Sequence, residues 1–329
     1  MNRRRMLSSM TFAGLAASLP FGKLSAATKK EAAKEEIAGG FKKLQIGDLE
    51  LYVLTDGFLQ DKSTHFAPRA DIAALRQLLA EHFRSTEHID MAMNVPLIKT
   101  KDRLILLDTG MGIFADDNTG LLLKSLGAAG FSPDQITDVF ISHAHPDHIG
   151  GVINEQDQLV FPNAKIFIAK TEHDFWMKAT LADFNNSALK KEPEFLNMFI
   201  PKVQHLLTTI KPLLNYYDFE KPLYGTFSFQ LAPGHTPGLT LTTIQSGNKR
   251  LLYVADLVHS DILLFPHPEW GFSGDTDLDL AIASRKKIME QLAVTKTRAL
   301  GYHLSWPGVG YTRKDGTAFT WVAEAYSRP

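Results

Sequence analysis

The chain has 329 residues, is 44% hydrophobic and carries a formal net charge of −1, enough apolar length for one large domain or two small ones. Its charge balance excludes the basic face of a nucleic-acid binder. It has no cysteine, so disulfides, thiol catalysis and thiolate metal ligands are excluded, and a metal centre must use histidine and carboxylate.

Residues 1–27 carry Arg3, Arg4 and Arg5 ahead of a short apolar segment, then Ser25-Ala26-Ala27. This predicts an export signal cleaved after Ala27, of twin-arginine type with an ordinary secretory signal as the alternative, and a periplasmic or secreted product with no stable membrane insertion. Cleavage removes four of the 35 cations and none of the 36 acids, leaving a net charge of −5. Residues 28–40, "TKKEAAKEEIAGG", read as a charged linker, and residues 41–329 as a single domain.

From Phe41 the pattern turns to short alternating runs. Leu44 and Ile46, then Leu49, Leu51 and Val53, flank a Gly-Asp turn and predict a hairpin. Asp71 to Phe83 has helical spacing behind an Asp N-cap, and its apolar residues suggest a face that could pair two chains. Asn94 to Gly110 reads as two strands ending on "LLDTG", with Asp108 in a turn. A helix ends at Gly130, and strands are expected at "ITDVFIS" and Ala164 to Lys170. Helical spacing begins again at "TEHDFW", and residues 178–214 read as a largely helical insertion with no identifiable chemistry. Strands return around "GTFSFQLAPGHTPG" and "LLYVADLVHS", then a long helix from "DLDLAIASRKK" and a strand at "RALGYHLSW". This order predicts a mixed α/β domain with two sheets between helices.

The chemistry concentrates in "ISHAHPDHIGG". His143, His145, Asp147 and His148 occupy six positions after an apolar strand. All are ligand types for a divalent cation such as Zn²⁺, and a buried imidazole otherwise needs a partner for each ring nitrogen. Four ligands are too few for two open sites. Three more candidates sit at other strand ends: His235 in "APGHTPG", Asp256 in "YVADLVHS" and His303 in "GYHLSW". An unpaired carboxylate at the end of so apolar a strand is costly.

These motifs resemble the metallo-β-lactamase superfamily in its dinuclear hydrolase branch, whose fold is a four-layer αββα sandwich. The resemblance covers nearly all of the chain from Leu44 to His303. It implies that His143, His145 and His235 hold one metal, that Asp147, His148 and His303 hold a second, and that Asp256 bridges them. Asp108 falls where the family orients a ligand histidine from behind. A bridging Asp goes with lactonases, phosphotriesterases, thioesterases and phosphodiesterases and against lactam hydrolysis. Where several relatives read His-Thr-Pro-Gly-His, this chain has Leu239 after Gly238.

Within the superfamily the nearest likeness is to methyl parathion hydrolase and the exported N-acyl homoserine lactonases. It rests on "HPDHIGGV", "FPNAKIFIAKTEHDFW", "PGHTPG" and "ADLVHSDILLFPHPEW". It implies two divalent ions, Zn²⁺ foremost, whose bridging hydroxide opens an N-acyl homoserine lactone ring and so quenches quorum signalling. Asp147 is then both ligand and proton shuttle. Phe114 and Trp176 are expected to line an apolar substrate pocket, and His259 to be structural. Organophosphate triester hydrolysis is the alternative. A glyoxalase II-like thioesterase lacks its cluster of basic residues here, and an inert binding protein is disfavoured by the intact ligand set.

Overall fold

The structure is a computed structural model and describes residues 39–326. The expected signal (1–27) and nearly all of the expected linker lie outside the described residues, which fall in one compact unit. No described helix is long and apolar enough to cross a membrane.

The chain begins with the expected hairpin, β1 (Phe41–Ile46) and β2 (Leu49–Lys62). Helix α1 (Ile72–Glu81) follows, with the Asp71 side chain accepting from the Ala74 N–H. Its Leu75 and Leu79 are buried in the chain's own core, so the stretch expected to pair two chains leaves only Ile72 and Phe83 as its exposed large apolar residues. Strands β3 (His88–Lys99) and β4 (Leu104–Leu107) lead to α2 (Leu122–Ala128), and β5 (Asp138–Phe140) to the single-turn α3 (Pro146–Ile149). Then come β6 (Lys165–Ile168), α4 (Lys170–Trp176), α5 (Pro193–Ile210) and β7 (Leu214–Tyr216). The second half holds β8 (Phe227–Leu231), β9 (Thr240–Ser246), β10 (Lys249–Ala255), α6 (Leu278–Thr295), β11 (Arg298–Gly301), β12 (Val309–Asp315) and β13 (Ala318–Ala323).

Strands β1 to β7 form one sheet in chain order, and the other runs β13-β12-β11-β10-β9-β8. The sheets pack through aromatic side chains: Phe140 meets Phe227 with ring centroids 5.2 Å apart, and Tyr217 stacks on Phe229 at 4.1 Å. Helix α2 covers β1 and β2 and α6 covers β12, which gives the helix–sheet–sheet–helix order expected from sequence.

The register positions the site. β4 and β5 are parallel, with Leu107 opposite Phe140. In the other sheet β10 and β11 are parallel, with Ala255 opposite Gly301. Asp108, the segment from Ser142, Asp256 and His303 therefore all emerge at carboxyl ends of parallel strands, where open α/β sheets bind their ligands. Asp108 and Ala255 adopt left-handed φ of 66° and 44°. For Ala255 this is a strained conformation that turns the chain immediately before Asp256.

A second buried carboxylate anchors the approach to the site. Asp56 accepts from the backbone N–H groups of Met111 and Leu122, each at 2.7 Å. Burial pushes its carboxyl up from 3.8 to about 6, against the pull of those donors. A carboxyl that holds its proton more tightly in the native state stabilises the fold fully below the unfolded value. That contribution is lost as pH rises through about 6, and a shift of this size corresponds to about 3 kcal/mol. Asp56→Asn cannot titrate, so the unfolding free energy of the wild type relative to this variant should fall by about 2–3 kcal/mol between pH 4 and 7. Denaturant unfolding at each pH measures it; a difference that stays flat would refute this assignment.

Candidate metal centre

The structure brings all seven ligand-type residues named from sequence into one cleft. Ligand atoms of His143, His145, His235 and Asp256 lie within 4.8 Å of one another, as do those of Asp147, His148, Asp256 and His303. Asp256 belongs to both groups. The short first loop depends on Gly150 and Gly151, where a Cβ would meet the Met111 and Thr109 carbonyl oxygens at 2.0 and 2.1 Å.

The outer partners determine which way each imidazole presents its lone pair. Asp108 takes the Ser142 N–H and O–H at 2.7 Å each, the Tyr253 O–H at 2.6 Å and His148 Nδ1 at 2.9 Å. Because the Ser142 hydroxyl donates to Asp108, it accepts from His143 Nδ1 at 3.0 Å. His235 Nδ1 donates to Asp275 at 3.0 Å, and His303 Nδ1 to the Ala92 carbonyl at 2.9 Å. In each of these four rings the Nδ1 proton is committed outward, so neutral Nε2 carries a lone pair inward.

These inward atoms have no adequate protein partners. His143 Nε2 and His235 Nε2 face each other at 3.1 Å, an arrangement of two lone pairs that calls for a cation between them. His148 Nε2 and Asp256 Oδ1 are buried without a hydrogen bond, although they approach to 3.0 Å. His303 Nε2 lies 3.1 Å from Asp147 Oδ2 and 3.2 Å from Asp256 Oδ2. Five imidazoles and two carboxylates suit Zn²⁺ and neighbouring divalent ions, and the residues fit the two-ion reading.

The electrostatics point the same way. Burial disfavours charge on His303, yet Asp256 and Asp147 outweigh it and push the imidazole up to about 9. His148, equally buried, is held well above its ordinary range by Asp256, Asp147 and Asp108. Burial and neighbouring histidines drive His143 and His145 well below it. The centre is thus a buried negative field that takes protons or, in their place, divalent cations, so metal uptake releases protons.

Above the centre is a cavity of about 400 Å³. His145, Asp147, Asp256 and His303 reach its floor, and Met91, Met111, Leu189, Phe195, Phe199 and Phe272 supply apolar wall. A wider cleft of about 880 Å³ opens at the opposite strand ends, near Gly47, Gly247 and Thr295. None of its lining residues belongs to either ligand group.

Three sequence readings need correction. Trp176 is fully buried and does not line the cavity. Its ring packs 5.8 Å from that of His145 and its Nε1–H donates to Glu172 at 2.7 Å, so it backs a ligand from the core. Phe114 also lies outside the cavity wall; its ring sits over Gly150, and Met111, three residues earlier, reaches the pocket instead. The insertion at 178–214 is not chemically neutral, since Leu189, Glu192, Phe195 and Phe199 come from it.

His259 is buried, and burial holds it down at about 4. It sits neutral at the cavity wall, stacked on Phe272 at 3.7 Å, with Nε2 3.1 Å from Asp256 Oδ2. Sequence reasoning missed Asp275, which ties His235 to the buried Arg285 through a 3.2 Å ion pair. It also missed Glu172, beside the ligand loops.

The chain belongs to the metallo-β-lactamase superfamily, whose family model matches residues 93–317. Among solved structures it is similar to AidC, a dizinc quorum-quenching lactonase in complex with a product, N-hexanoyl-L-homoserine. The two share 60% identity over 88% of this chain and 99% of that one, with a TM-score of 0.87. The hydrolase AbOPH of the β-lactamase superfamily shares the fold, at 23% identity over 89% of this chain and all of that one, with a TM-score of 0.80. Among curated proteins, an N-acyl homoserine lactonase of Bacillus thuringiensis is 27% identical over 226 residues, 60% of this chain and 77% of its own.

Proposed function

We propose that this protein is a two-metal lactonase that opens the ring of N-acyl homoserine lactones. The observation that carries the reading is the pair of ligand groups sharing Asp256 beneath an apolar cavity. The 60% identity to a dizinc lactonase supports the same choice of substrate.

His143, His145, His235 and Asp256 would hold one cation and Asp147, His148, His303 and Asp256 the other, zinc being the ion this donor set favours. Bound there, two divalent ions supply the Lewis acidity that makes water nucleophilic near neutral pH and stabilises charge on a carbonyl oxygen. The chain's own residues orient the reactants. Asp147, which reaches the cavity floor, is placed to accept the proton of the attacking water and carry it to the ring oxygen as the C–O bond breaks. The Tyr302 O–H holds the Asp147 backbone carbonyl at 2.5 Å, which fixes that loop. Leu189, Phe195 and Phe199 form the wall against which an acyl chain lies.

The test is turnover by zinc-loaded protein on N-hexanoyl homoserine lactone beside an aryl phosphotriester. The expected result is ring opening, with phosphotriester hydrolysis slower. Phosphotriester turnover without lactone turnover would replace the reading with the alternative one. Export to the periplasm is part of the same proposal, supported by Arg3-Arg4-Arg5 and Ser25-Ala26-Ala27. A mature product that keeps residues 1–27 would contradict it.

A further inference from the structure

We propose that Glu172 is a positioning residue that fixes the spacing between the two loops carrying His143, His145 and His235. Glu172 lies in the first turn of α4 and is fully buried. One carboxylate oxygen accepts the Ala144 N–H at 2.9 Å, the peptide between His143 and His145. The same oxygen accepts the Trp176 Nε1–H at 2.7 Å. The other oxygen accepts the Gly238 N–H at 2.9 Å, three residues after His235. The first loop follows β5 in one sheet, and the second joins β8 to β9 in the other. A single carboxylate therefore spans loops of both sheets at the point where their histidines meet.

The chemistry requires a carboxylate. Three donors converge on two oxygens, and bonds to an ionised acceptor are about twice as strong as neutral ones. An amide at this position would turn its NH₂ against one backbone N–H. Burial raises the Glu172 carboxyl while the Ala144 N–H draws it back. Gly238 is shaped to the same contact, since a Cβ there would lie 2.4 Å from the Glu172 backbone nitrogen. Along the first loop the Glu172 contact falls between His143 and His145, ahead of Asp147 and His148, and along the second it falls three residues after His235. His148 is oriented by Asp108 and His303 by the Ala92 carbonyl.

This inference rests on the two-cation reading and is tested by metal retention, independently of substrate. Zinc-loaded wild type, Glu172→Gln and Gly238→Ala are titrated with a chromophoric chelator and their zinc content counted. In both variants one ion per chain should be released at a roughly 10–100-fold lower chelator concentration, the usual cost of losing an outer partner, and the second at the wild-type concentration. Release of both ions in parallel from folded Glu172→Gln, or wild-type retention of both, would overturn the role. If Glu172→Gln does not fold, Gly238→Ala decides by the same criteria. A wild-type chain holding fewer than two zinc ions defeats the two-cation reading itself, and this inference with it.

Discussion

Asp256→Ala is expected to lower kcat/KM for lactone hydrolysis by more than roughly a hundredfold, beyond the range for loss of an outer partner. It should also reduce zinc content below two per chain. No other residue belongs to both ligand groups, so its removal damages both. His148 Nε2 loses the oxygen 3.0 Å away, and His235 Nε2 and His303 Nε2 lose theirs at 3.3 and 3.2 Å. Removing the carboxylate also leaves those imidazoles in a buried space with a weaker counter-charge, which the remaining Asp147 serves on one side only. Metal analysis and initial rates on the same preparation check both parts. A variant that keeps two tightly held ions and wild-type turnover would rule out the shared role.

The second large effect concerns the acyl chain. Burying one methylene contributes about 0.8 kcal/mol, close to fourfold in kcat/KM if expressed in the transition state. The rate constant should therefore climb about fourfold per methylene until the cavity of about 400 Å³ is filled. Phe195 is the informative wall residue, because it is partly exposed and stacks on Phe199 at 5.6 Å without anchoring the core. Phe195→Ala should flatten the chain-length slope and leave the shortest substrate nearly unaffected. Rates measured from butanoyl to decanoyl lactones decide the matter. An equal loss at every length would show that Phe195 acts on the reacting ring instead.

The centre was legible from sequence because its ligands are chemically conspicuous and sit where strands end. Four ligand types in six positions, and a lone Asp closing an apolar strand, have few bland explanations. Asp108 was legible for the same reason: "LLDTG" places an acid at a strand end. Glu172 and Asp275 were not. In "TEHDFW" and "SGDTD" each stands among polar neighbours and reads as a helix-start acid. The contacts that tie each to the centre come from loops distant in sequence, Ala144 and Gly238 for the first and His235 for the second.

The aromatics failed for a related reason. Trp176 and Phe195 lie on neighbouring helices and look equally suited to a pocket. The fold turns one into the core behind His145 and the other onto the cavity wall. The periodicity of α5 was readable, but which of its residues reach the metal centre depends on how the insertion folds back over the sheets. Local pattern carries no record of that.

Two ions held through Asp256 are what this hydrolase is proposed to work with. The most direct measurement follows proton release from N-hexanoyl homoserine lactone by protein of known zinc content, during stepwise removal and return of zinc. Two zinc ions per chain are expected at full rate, with loss of turnover as they are withdrawn and recovery on adding two equivalents back. Sustained turnover by metal-free protein would contradict a two-ion mechanism.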